Sequence, residues 1–84
     1  MKLFVEIDDG DLLFSLLHEL GSTFYRPLGN GQLEVLYYSG NRLIHFRGAL
    51  PADKIKLLEH TTWRVSDIEI DEVSGVVKIS QGER

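Results

Sequence analysis

The chain has no cysteine, one methionine and one tryptophan in 84 residues. Without thiols there is no disulfide framework and no thiolate nucleophile. A structural zinc site would need His18, His45 and His60 to converge with carboxylates, and their spacing matches no zinc motif. Nothing in the sequence implies a cofactor. No apolar run approaches the about 20 residues of a membrane span, so no membrane role is expected. Strong charge of one sign is missing as well: 13 acids against 9 bases leave a net charge of −4. That balance argues against strong nonspecific attraction to nucleic acid or anionic lipid. The stretch before Asp8 is too short for a secretory hydrophobic core, and cytoplasm is the expected location.

Catalytic groupings are equally scarce. No serine has a histidine and a carboxylate in a recognisable nucleophile setting. Gly29-Asn30-Gly31 precedes a β-rich stretch rather than a helix, so it is no phosphate cradle. Asp8, Asp9 and Asp11 surround Gly10, but a calcium loop needs about six oxygen ligands over twelve residues. An apolar helix follows directly here, and helix capping is the better reading. A non-catalytic protein is expected.

What the chain does have is core. Leu, Ile, Val and Phe make up 29 of 84 residues, about 35% against a disorder threshold of roughly 20%. One domain over residues 1–80 is expected, with a frayed tail at 81–84. Charge is segregated: residues 1–21 carry −4, residues 22–64 carry +3 and residues 65–84 carry −3. The basic middle also holds six of the eight aromatics: Phe24, Tyr25, Tyr37, Tyr38, Phe46 and Trp63.

Hydrophobic periodicity gives the elements. Leu3, Val5 and Ile7 alternate with Lys2, Phe4 and Glu6, the pattern of a half-buried strand. Leu13, Leu16, Leu17 and Leu20 form a helical stripe that Gly21 is placed to stop. Residues 22–31 are ambiguous, since Pro27 and the glycines read as a loop. Gln32–Tyr38 and Arg42–Gly48 read as a hairpin through Ser39-Gly40-Asn41. Pro51 opens a short helix to about His60, with Ile55 and Leu58 inward. Trp63 is expected to anchor a following strand in the core. A parity change at Ser66-Asp67 predicts a bend, and Ile68–Ile79 predicts a hairpin closed by Asp71-Glu72-Val73-Ser74-Gly75.

The resulting order is β-α-β-β-α-β plus a C-terminal hairpin strand. It fits an α+β, ferredoxin-like fold: a small antiparallel sheet with two helices on one face. A plain α+β roll with a four- or five-stranded sheet is the alternative. The RNA-recognition motif shares the element order, and Leu3-Phe4-Val5 is similar to the start of its short signature. Ile7-Asp8 and the stretch from Asn41 to Leu50 depart from that pattern, so no family is assigned.

Two helices on one side leave a reverse face. Phe4 and Glu6, one or two of Tyr37, Tyr38 and Leu36, and Leu43, His45 and Arg47 are expected there. Arg42 and Arg26 flank it, Arg26 as a possible anion grip. Aromatic rings beside arginine are typical of binding surfaces, and a large apolar patch calls for a cover. The cover could be the C-terminal hairpin or a second copy in a homodimer, a different protein, or a nucleotide or single-stranded nucleic acid stacked on the rings. The expected role is docking on a protein partner through an open sheet face, as an inhibitor, adaptor or regulatory subunit. Small, acidic, cysteine-free proteins of this kind are frequent among phage inhibitors of host defence or transcription. Nucleic-acid or nucleotide binding is the second reading.

Overall fold

A computed structural model describes residues 3–17, 22–39 and 41–81. Strand β1 (Leu3–Ile7) leads into helix α1 (Gly10–Leu16). Asp9 caps that helix: its Oδ1 accepts from the backbone N–H of Asp11 at 2.9 Å and of Leu12 at 3.3 Å. The acidic cluster thus has the capping role its position before an apolar stripe implies. The continuation of the stripe to Leu20, the stop at Gly21, His18, Gly40 and the tail beyond Gln81 lie outside the described residues.

Three consecutive strands follow: β2 (Ser22–Gly29), β3 (Gln32–Ser39) and β4 (Arg42–Ala49). The ambiguous segment is therefore a full strand. Asn30 and Gly31 both take positive φ, 56° and 75°, as a two-residue type I′ hairpin turn requires. Pro27 is tolerated because the β2–β3 register shifts between Pro27 and Gly29, and the short strand on the other flank pairs only with Phe24 and Tyr25. Pro27 is in register with Leu33 on one side and, among the described residues, has no strand beside it on the other, the edge and bulge setting in which strand prolines are found.

Helix α2 (Ala52–Thr61) starts after Pro51, which serves as its N-cap position, and leads to strand β5 (Trp63–Arg64). The five strands form one sheet in the order β1-β4-β3-β2-β5. β1 runs parallel to β4 and β5 parallel to β2, while the central pairs are antiparallel. The protein is a small mixed α+β domain. The expected antiparallel, ferredoxin-like order does not describe it, because three strands rather than two lie between α1 and α2 and both edge strands pair in parallel.

Both helices cover one face. Leu13 of α1 and Leu58 of α2 pack with Leu33, Val35, Tyr37, Ile44 and Phe46 from β3 and β4. Lys54 of α2 places its Nζ 5.0 Å from the centre of the Phe14 ring of α1, a cation–π contact between the helices.

At Ser66 the chain leaves the sheet. Val65 N–H still donates to the Tyr25 carbonyl at 2.9 Å, whereas Ser66 N–H donates to the Ser80 carbonyl at 2.8 Å. This is the physical content of the parity change at Ser66-Asp67. Strands β6 (Asp67–Asp71) and β7 (Val76–Ser80) then form a separate antiparallel hairpin. Asp71 organises its loop, its Oδ1 accepting from the backbone N–H groups of Val73 and Ser74. Those bonds hold the Asp71 carboxyl below its ordinary range. Gly75 takes φ 78° at the left-handed position.

The hairpin lies over the reverse face of the main sheet. Ile68 and Val65 join Leu36 and Leu43 in a second buried cluster, against which Phe4, Phe24, Tyr38, Ile70, Val77 and Ile79 pack. The expected open sheet face is therefore corrected. Of the occupants considered, the chain's own C-terminal hairpin covers the apolar part, because Ile68, Ile70, Val77 and Ile79 share one face of β6–β7 and need a surface to bury against. Trp63 is corrected too: it is 65% exposed at the sheet edge rather than a core anchor.

Leu43 reports on this arrangement. It is fully buried beneath the hairpin, and truncating such a leucine costs about 2–5 kcal/mol, against roughly 0.5 kcal/mol at an open surface. Chemical denaturation of Leu43→Ala is expected to show the larger loss. A loss below about 1 kcal/mol would mean that the reverse face is not covered.

Candidate functional site

Strand parity divides the reverse face into an apolar half and a charged half. Tyr38, Leu43 and Phe4 fall in register across β3, β4 and β1, and Leu36, His45 and Glu6 form the next row. Beyond it, Arg26, Glu34 and Arg47 lie opposite one another across β2, β3 and β4. The hairpin covers the apolar rows, and the charged side chains remain beside it.

Glu34 is the centre of this group. Its side chain is 1% exposed, yet every donor around it is strong. Arg26 donates to Oε1 from Nε at 3.0 Å, and its Nη2 forms an ion pair with the same oxygen at 2.9 Å. Arg47 Nη2 donates to Oε2 at 3.2 Å, and His45 Nε2 lies 2.6 Å from the same oxygen. Burial by itself raises the Glu34 carboxyl pKa. The hydrogen bonds from His45, Arg26 and Arg47, with the charge of His45, outweigh burial and hold it below its ordinary value.

His45 extends the network to the edge strand. Its Nδ1 stands 2.9 Å and 3.0 Å from the two carboxylate oxygens of Glu6, whose side chain is 53% exposed. One imidazole thus bridges carboxylates on β1 and β3. A cleft of about 310 Å³ opens over the group, with Glu6, Glu34, His45 and Arg47 on the sheet side and Ile68, Ile70 and Glu72 on the hairpin side. A second depression of about 410 Å³ follows the hairpin between Glu69 and Lys78. No group of three or more His, Cys, Asp or Glu side chains is placed to hold a metal ion among the described residues.

The residues singled out in the sequence separate accordingly. His45, Arg47 and Arg26 come together around Glu34. Phe4 and Tyr38 are half-buried against the hairpin cluster, where burial pushes the Tyr38 phenol pKa up, and Leu43 is sealed beneath it. Tyr37 is buried among the helix-side residues. Arg42 is exposed and shares its strand parity with Ile44 and Phe46, so it is not part of the cluster. Phe4, Tyr37, Tyr38 and Leu43 therefore do not line an open surface. Glu34 was not singled out, although an acid on β3 between Arg26 on the preceding strand and His45 and Arg47 at alternating positions of the next is a signal for cross-strand charge pairing. Glu72 was read only as a loop residue.

No family model matches the chain, and no curated protein or solved structure is significantly similar to it. No helix among the described residues is long and apolar enough to cross a membrane.

The lowered Glu34 value has a definite sign. Stabilisation by its ionised form is present above the ordinary carboxylate value of 4.5 and is lost as pH falls through the lower folded value. Glu34→Gln leaves the Arg26 and Arg47 guanidiniums and the His45 ring short of their acceptor and is expected to cost about 3 kcal/mol at neutral pH. That penalty should shrink on acidification below pH 4.5. Urea denaturation of both proteins across this range checks it, and a penalty constant with pH would contradict the assignment.

Proposed function

We propose that this protein is a non-catalytic binding module that docks a basic segment of a partner protein at the rim of the Glu6–Glu72 cleft. The carrying observation is an imbalance of partners. The basic side chains of the floor, Arg26, Arg47 and His45, are all engaged with Glu34, whereas exposed Glu72 at the rim has no ion-pair or hydrogen-bond partner among the described residues. Glu6, across the cleft, is half in water. A lysine or arginine from a partner would find two carboxylates there, with Ile68 and Ile70 to receive its aliphatic stem.

Two further features support this reading. Both ring nitrogens of His45 face this chain's own carboxylates, an arrangement that ties strands together rather than aiming a base at a substrate. The rings expected to stack bases on the sheet face are engaged elsewhere, Tyr37 under the helices and Tyr38 and Phe4 under the hairpin. An adaptor or regulatory subunit works through such a rim: modest affinity, set by charge complementarity and completed by surrounding contacts.

Basic peptides and nucleic acids both bind less tightly at high salt, so the sign of the ligand discriminates between them. Amide spectra are expected to show a lysine- and arginine-rich peptide moving Glu6, Arg47, Ile70 and Glu72. A glutamate-rich peptide and a thymidine oligonucleotide should leave these amides in place. Glu72→Lys should weaken the basic peptide several-fold. Perturbation of the same amides by the oligonucleotide, or none by the basic peptide, would overturn the proposal.

A further inference from the structure

The environment of His45 carries a second reading, which concerns how the cleft is regulated and rests on the binding proposal for its use. A neutral imidazole has one N–H donor and one lone-pair nitrogen. Here both nitrogens face carboxylate oxygens within hydrogen-bond distance, Nε2 at Glu34 and Nδ1 at Glu6. Only the doubly protonated ring donates to both. The geometry is that of an imidazolium joining β1 to β3 through β4.

The two ends of this tie are unequal. The Glu34 side chain is 1% exposed and is fixed by Arg26 and Arg47 as well as by His45. Glu6 sits on an edge strand, is half-exposed, and has His45 as its sole ion-pair partner among the described residues. We propose that His45 is a proton-gated tie: on deprotonation it keeps the Nε2 proton for Glu34, loses the Nδ1 proton, and releases Glu6 to the cleft rim. An Nδ1 lone pair facing a carboxylate at this separation is repulsive, and Glu6 has water as an alternative partner.

The surrounding groups fix the sense of the change. Glu6 comes from β1, Glu34 from β3 with Arg26 of β2 behind it, Arg47 from β4 itself, and Glu72 from the β6–β7 loop; the hairpin otherwise presents Ile68 and Ile70. Protonated, His45 neutralises Glu6. Deprotonated, it leaves Glu6 and Glu72 as two unpaired carboxylates on opposite sides of one cleft. Affinity for a cationic group therefore rises as pH rises through the titration of His45.

Two readouts test this, and the first needs no ligand. Nitrogen-detected spectra of the His45 ring in the free protein should show both nitrogens protonated at low pH and Nδ1 alone losing its proton. The NOE between the His45 ring proton Hε1 and the Glu6 γ protons should disappear with the same midpoint. Loss of the Nε2 proton instead, or an NOE unchanged through the titration, overturns the tie. The second readout is binding of the lysine- and arginine-rich peptide, expected to tighten several-fold across that midpoint. In Glu6→Gln, whose altered side chain is half-exposed and leaves the core intact, that pH dependence should vanish. Persistence of the full dependence in Glu6→Gln also overturns the inference. Failure of the peptide at every pH, with the ring and NOE changes as expected, supports the tie and counts against the binding proposal alone.

Discussion

A carboxylate with almost no access to water sits in the middle of the reverse face, and the arrangement of that face follows from it. Glu34 cannot be left unpaired, since an isolated buried charge costs several kcal/mol even after relaxation. Its neighbours in register and on the diagonal are therefore donors: the guanidiniums of Arg26 and Arg47 and the ring of His45. Strand parity transmits this demand across β2, β3 and β4. The same parity places Leu36, Leu43 and Phe4 in the adjoining rows, and these need an apolar cover. A single face thus carries two opposite requirements, and the C-terminal hairpin meets one of them while leaving the other open as a cleft.

This division relocates the binding reading. An open aromatic sheet would select its partner by area, whereas a charged notch beside a hairpin selects by complementarity of sign and by the geometry of a few groups. The hairpin then has two tasks: its Ile68 and Ile70 close the second core, and its loop supplies Glu72 to the rim. Because rim and core share an element, changes in how β6–β7 sits would alter both stability and the shape of the cleft. His45 couples the same rim to the sheet edge through Glu6.

Much of the fold is legible residue by residue. Asp9 before an apolar stripe, Pro51 before Ile55 and Leu58, the parity break at Ser66 and the Asp71–Gly75 loop all act through local geometry, which sequence carries directly. The outward parity of His45 and Arg47 is readable for the same reason, because Ile44 and Phe46 are the better core pair. The strand over Ser22–Gly29 is harder: Pro27 masks it, although Asn30-Gly31 is a strong hairpin signal. The choice between Tyr37 and Tyr38 is not local at all. Both suit a strand, and only packing of Tyr37 with Leu13, Leu58 and the helix-side residues decides it. The hairpin's fold-over and the burial of Glu34 depend on long-range placement, as does the exposure of Trp63 on a two-residue edge strand. A tryptophan's size argues for the core until the sheet runs out beside it.

The central claim is that Glu34 remains ionised while buried, because three donors outweigh its loss of hydration. Following the side-chain carboxyl ¹³C shift of Glu34 against pH tests this most directly. The account predicts a midpoint below the ordinary value of 4.5. A midpoint above that value would show that burial prevails over the donors, and would contradict the account of the site.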